Sequence, residues 1–128
     1  DPRPAVRGRE VAVVCRHQET RRWFEQLLVH WGACTSSFVS GTEAMLWTAQ
    51  GGRADLWIVD RDLGDMEGAE VCHAVRLERP DSRIVLVSDV LARIASKDVD
   101  ARLSKPVRAD TLASTLIAQV ARPKVVPE

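Results

Sequence analysis

Apolar residues run along this chain in blocks whose spacing changes from segment to segment. Val11 to Cys15 ("VAVVC") is an unbroken apolar run of strand length, the pattern of a strand buried on both faces. From Glu19 to Trp31 the apolar residues Trp23, Phe24, Leu27, Leu28 and Trp31 recur at helical spacing, and Gly32 stands where such a helix stops. "CTSSFV" (34–39) is shorter and more polar, as expected of a strand at a sheet edge. Ser40, with Glu43 three residues later, has the form of a capping box for a helix through Met45 and Trp47 that ends at Gly51–Gly52. "LWIV" (56–59) predicts a third strand, and a helix through Val71, Val75 and Leu77 follows it, ending at Pro80. "RIVLVS" (83–88) predicts a fourth strand, trailed by a short helix around Leu91 to Ala95. "ARLS" (101–104) makes a poor fifth strand, and Leu112, Leu116, Ile117 and Val120 mark a last helix.

Strand and helix alternate five times, and the central strands are apolar on both faces. That alternation implies a parallel sheet between layers of helices. In open sheets of this kind, ligands and chemistry gather at the carboxyl ends of the central strands. The residues placed there are Cys15, Arg16 and His17 after the first strand, Asp60 after the third, Ser88 and Asp89 after the fourth, and Lys105 after the fifth. An acid, a hydroxyl and an amine at one rim are the parts needed to hold a phosphoryl group. The acid attacks phosphorus, the hydroxyl donates to one oxygen, and the ammonium neutralises another.

Around these residues the chain resembles the receiver domain of two-component response regulators, over roughly residues 9 to 121. The matching pieces are "VAVV", "DLWIVDRDLGDMEG", "IVLVS" and "SKP". The resemblance implies a flavodoxin-like (βα)5 fold, with a five-stranded parallel sheet of order 2-1-3-4-5 flanked by helices. It implies that Asp60 accepts phosphoryl from a histidine kinase or phosphotransfer domain, and that Ser88 and Lys105 sense it. It also implies a Lys105–Pro106 bond that is often cis in the family.

The departures from the family pattern matter as much. Two acids usually follow the first strand and hold magnesium with the phosphoacceptor, but Cys15 and Arg16 stand there. Magnesium is a hard cation that needs oxygen ligands, and Arg supplies none. No cofactor is therefore expected. At ~4 Å an Arg16–Asp60 pair would gain about 4 kcal/mol of Coulomb energy at an effective dielectric near 20, before desolvation. Arg16 is accordingly expected to lie over Asp60, in the place of the metal. Asp89 stands where a small residue normally leaves a path for phosphoryl transfer, and Arg102 replaces a switching aromatic. The gap from Ser88 to Lys105 is short, so the helix within it is expected to be stunted. Gly64 stands where a Pro is common. Asp62, Asp65 and Glu67 read as a solvated loop.

Two functional readings follow. One is a degenerate receiver of a phosphorelay, within a hybrid sensor histidine kinase or a multidomain regulator. The alternative is an unphosphorylated pseudo-receiver that binds partner domains or a cyclic dinucleotide such as cyclic di-GMP, with Arg102 and Arg108 flanking "SKPV" on the ligand face. "VDRDLG" also resembles the D-x-D motif of haloacid-dehalogenase-like phosphatases. That motif belongs on a first strand, and too few acids follow Lys105 to complete its metal pair, so the domain itself is not expected to be an enzyme.

Composition narrows the partners further. Lys plus Arg and Asp plus Glu each number 18, so no basic excess points to nucleic acid or to an acidic membrane surface. No apolar run approaches a membrane span and no signal peptide is visible, so a cytoplasmic setting is expected, and the family resemblance implies a bacterial one. Cys15, Cys34 and Cys72 form no C-x-x-C, and with His17, His30 and His73 they show no zinc spacing; reduced thiols are expected. Trp23, Trp31 and Trp47 read as helix-face core residues, and an exposed one would mark a partner surface. Residues 1–8 and 122–128 are rich in Pro, Arg and Val without hydrophobic period and read as linkers, and the chain begins without Met. The expectation is a module of residues 9–121 belonging to a longer protein.

Overall fold

The computed structural model of the chain describes residues 1–89 and 97–122. Its elements run α1 (Arg3–Val6), β1 (Glu10–Val14), α2 (Gln18–His30), β2 (Cys34–Phe38), α3 (Gly41–Ala49), β3 (Leu56–Asp60), α4 (Gly68–Glu78), β4 (Arg83–Ser88), β5 (Ala101–Ser104) and α5 (Ala109–Ala121). The five strands form one parallel sheet in the order β2-β1-β3-β4-β5. The flavodoxin-like order expected from the sequence is the order found. The helix expected around Leu91 to Ala95 lies outside the described residues.

Period-two alternation along the strands divides the core into two layers. Val11, Val13, Leu56, Ile58, Val85 and Val87 face one way, toward Phe24 and Leu28 of α2 and Leu112 and Leu116 of α5. Ala12, Val14, Trp57, Val59, Ile84 and Leu86 face the other way, toward Ala44 of α3 and Val71 and Val75 of α4. All five residues of β3 are buried, which is why its sequence shows no polar alternation. The edge strand β2 is only partly buried, in keeping with its serines. Trp57 fills the second layer with 1% of its surface exposed, and its truncation to Ala would cost about 3–5 kcal/mol.

The N-terminal segment, expected as a linker, holds a helix, and of the expected linker 122–128 all but Arg122 lie outside the described residues. Arg3–Val6 is a helix with proline in its first turn, packed against α5, and Val6 is wholly buried in the first layer. Four residues are too few to show a hydrophobic period, so the anchoring valine gave no signal. Arg122, placed in the C-terminal linker, bonds Asp100 through its guanidinium and accepts from Arg83 through its carbonyl. Among the described residues no helix is long and apolar enough to cross a membrane.

Candidate functional site

Four strand ends meet at the carboxyl rim of the sheet. Asp60 is the last residue of β3 and pairs in register with Val87 of β4, whose carbonyl accepts from the Arg61 amide at 2.8 Å. Ser88 ends β4 opposite Ser104, and its carbonyl accepts from the Lys105 amide at 2.8 Å. Cys15 follows β1, its amide donating to Phe38 across the sheet. The bond after Lys105, to Pro106, is cis.

The Asp60 side chain is 5% exposed and well partnered. Lys105 Nζ lies 2.7 Å from its Oδ2, and Oδ1 accepts from the Asp62 amide at 3.2 Å. Cys15 Sγ stands 3.9 Å from Oδ2. Burial pushes the Cys15 thiol up, and the Asp60 charge pushes it the same way, so the sulfur sits beside the acid as a neutral thiol. The Cys15 carbonyl is held by Arg21 Nη1 at 2.8 Å, which pins the turn leaving β1. Ser88 is half-buried, and Asp89 after it is exposed.

Arg16 is not where the sequence argument places it. It does not pair with Asp60. Its Nη2 lies 3.6 Å from Asp62 Oδ2, and both side chains are largely exposed. Proximity of the strand ends does not decide the pairing. Sinking a guanidinium beside an acid that Lys105 already neutralises carries a desolvation cost that the exposed pair with Asp62 avoids.

The loop after β3 is tied down by its own acids. Asp62 Oδ1 accepts from the Gly64 amide at 3.0 Å. Asp65 reaches across to the start of α3, where its carboxylate accepts from the amides of Gly41 and Thr42 and from the Thr42 hydroxyl at 2.6 Å. These bonds, the Thr42 hydroxyl first, hold the Asp65 carboxyl down at about 2. Glu67 caps α4 in a reciprocal capping box with Glu70. Asp65 and Glu67 are exposed, as the sequence reading has them, and they also serve as structural caps. Only Glu70, three positions after Glu67, gave a local signal for this; the Asp65 contact spans 24 residues and gave none. Gly68 opens α4 directly beneath the acid, where any Cβ would collide with the Asp60 carbonyl oxygen.

Arg102 and Arg108, expected on a ligand face, are both exposed, and Arg108 Nε lies 3.5 Å from Asp110. Beside Lys105 a cleft of about 520 Å³ opens between α2 and the loop after β5, lined by Glu19, Trp23, Phe24, Pro106 and Val107. Trp23 is half-buried on its wall, Trp31 is in the core, and Trp47 is half-buried against Phe38 and Trp57.

The donor set does not suit magnesium. Around Asp60 the neighbours are a neutral thiol, an ammonium and a backbone amide, and Asp62 is engaged with Arg16. Among the described residues no three His, Cys, Asp or Glu side chains come together as a metal cluster. A hard divalent cation needs several oxygens, and the Asp60 carboxylate is already neutralised by Lys105.

The family model described as response regulator receiver domain matches residues 11–117. The fold is similar to that of a CheY-like receiver domain protein from Methanospirillum hungatei JF-1, at TM-score 0.81 and 19% identity over 88% of this chain and 94% of that one. It is also similar to a CheY-like receiver domain from Methylobacillus flagellatus, at TM-score 0.77 and 25% identity over 88% and 98% of the two chains. The signal receiver domain of an HD domain-containing protein from Pseudomonas fluorescens Pf-5 matches at TM-score 0.81 and 20% identity, covering 89% and 95%. No curated protein matches in sequence. The chain belongs to the response regulator receiver domain family, a family of signalling modules.

Proposed function

We propose that this chain is a degenerate receiver of a cytoplasmic bacterial phosphorelay. It would take phosphoryl from a histidine kinase or phosphotransfer domain, and belong to a hybrid sensor histidine kinase or a multidomain regulator. The observation that carries the reading is the Asp60–Lys105 pair at 2.7 Å, set at the ends of β3 and β5 beside Ser88. A carboxylate nucleophile, a hydroxyl donor and a fixed ammonium are retained, while Cys15 and Arg16 replace the acids that would bring a metal. The Pseudomonas relative, a receiver within an HD domain-containing protein, is one example of such a module in a larger chain. The test is intact mass after incubation with acetyl phosphate and magnesium, with Asp60→Asn as control. A phosphoryl adduct absent from the control supports the reading, and no adduct on folded protein removes it.

A second reading rests on the saturation of Asp60, whose two oxygens already meet Lys105 and the Asp62 amide. An acid so engaged serves equally as a structural tie in an unphosphorylated pseudo-receiver that binds neighbouring domains. Arg102 and Arg108 then supply the face for an anionic ligand. Titration with cyclic di-GMP tests that face, and no heat on mixing rules it out for this nucleotide.

A further inference from the structure

The mismatch between this rim and a divalent cation leaves a charge to be balanced. With Lys105 opposite Asp60, the unmodified pair sums to zero. Transfer from an acyl phosphate replaces the single negative charge of Asp60 with the two of an acyl phosphate dianion. A carboxylate oxygen forms a bond to phosphorus, the bond from phosphorus to the donor's acyl oxygen breaks, and that oxygen departs with the electron pair as a carboxylate. One negative charge is then unmatched in a site where the metal's ligands are missing.

Among the described residues, a further cation is linked to the acceptor through the loop after β3. Arg16 follows Cys15, whose sulfur is 3.9 Å from Asp60 Oδ2, and its guanidinium rests on Asp62, whose amide bonds Asp60 Oδ1. The resting contact is a single ion pair of 3.6 Å between exposed groups, the kind that holds its partners weakly. The guanidinium also passes over Gly64, where a Cβ would lie 3.1 Å from Nη1. Gly64 has φ of 82°, so a side chain is disfavoured there by conformation as well as by space. Arg16 thus lies over a glycine of the loop that follows the acceptor strand, where no side chain obstructs it.

We propose that Arg16 leaves Asp62 and, with Lys105, neutralises a phosphoryl group on Asp60 in place of a divalent cation. Arg suits the task, because its fork of donors can meet two phosphoryl oxygens at once. Asp62, once released, is exposed enough to be solvated. The inference rests on the receiver reading above and adds the means by which the site works without metal.

The experiment is acetyl phosphate treatment of the 128-residue chain in EDTA and in magnesium, read by intact mass, for wild type, Arg16→Ala, Arg16→Asp and Asp60→Asn. The expected result is a wild-type adduct of equal extent in both buffers. Arg16→Ala should slow its formation in EDTA by about a hundredfold, the scale of losing one charge-stabilising donor. Arg16→Asp, which restores an oxygen ligand, should form the adduct only with magnesium and release heat on magnesium titration, where wild type releases none. A wild-type adduct that needs magnesium overturns the inference and leaves the receiver reading standing. An adduct in EDTA that Arg16→Ala does not slow overturns the role of Arg16. No adduct in either buffer removes the receiver reading and the inference with it.

Discussion

At the amino end of the sheet Arg76 donates to the carbonyls of Pro80, Ser82 and Asp98 and lies 2.7 Å from Asp100 Oδ2. Asp100 in turn accepts from the Ile84 amide and from Arg122, so the starts of β4 and β5 and the end of α5 are fastened together. At the carboxyl end Lys105 meets Asp60 through one ion pair, and Arg16 meets Asp62 through another. The same residue types serve opposite purposes. A guanidinium with four partners cannot leave one without losing the rest, whereas a cation with one partner is free to exchange it. Multiplicity of contact separates the end that holds the fold from the end that can change state.

That contrast can be broken by experiment. Arg76→Ala should have the largest effect. It strips a mostly buried pair and three carbonyls at once, for a loss of about 3 kcal/mol in urea unfolding. A loss below about 1 kcal/mol would mean that the amino end is no firmer than the site. Asp60→Asn should shift unfolding by less than about 1 kcal/mol, because Lys105 is open enough to water to be resolvated. A double-mutant cycle with Lys105→Met should give a coupling of about 0.5–1 kcal/mol.

Asp65 sharpens the comparison through pH. Its folded carboxyl is lowered to about 2 from 3.8, so its contribution is present above pH 4 and is lost as pH falls toward 2. Asp65→Asn should lower Tm at pH 7, and the gap to wild type should close by pH 2. A gap independent of pH would show that the Thr42 contacts do not depend on charge. The smallest effect concerns no stability at all. Cys34 is exposed while Cys15 and Cys72 are buried, and burial raises the Cys72 thiol to about 12. Iodoacetamide at pH 7.5 should therefore modify Cys34 about tenfold faster than either of the others. Equal rates would mean that the carboxyl end opens far more than its packing suggests.

The sheet and most helices were legible because burial on both faces leaves continuous apolar runs, as in β1 and β3, and because α2 and α5 are long enough to show a period. Helix α1 was not, since four residues carry no period. At the site, Asp60 and Lys105 were legible from their places at strand ends, which topology alone brings together. Arg16 was correctly marked as the departure, but its partner was not, because the choice between Asp60 and Asp62 depends on desolvation and on the room that Gly64 leaves for the guanidinium. Arg76 looked like any charged residue on a helix. Its carbonyl partners are backbone atoms, invisible in side-chain chemistry.

The tie between Asp65 and the start of α3 has one more consequence. The Gly41 and Thr42 amides are protected by a carboxylate from the loop that follows the acceptor strand, and not by any carbonyl of their own helix. Their hydrogen exchange is therefore a gauge of that loop, read from another element. If a change of state at Asp60 lifts the loop, deuterium will enter at residues 41 and 42, on the far side of the sheet's second layer, while the rest of α3 keeps its protons.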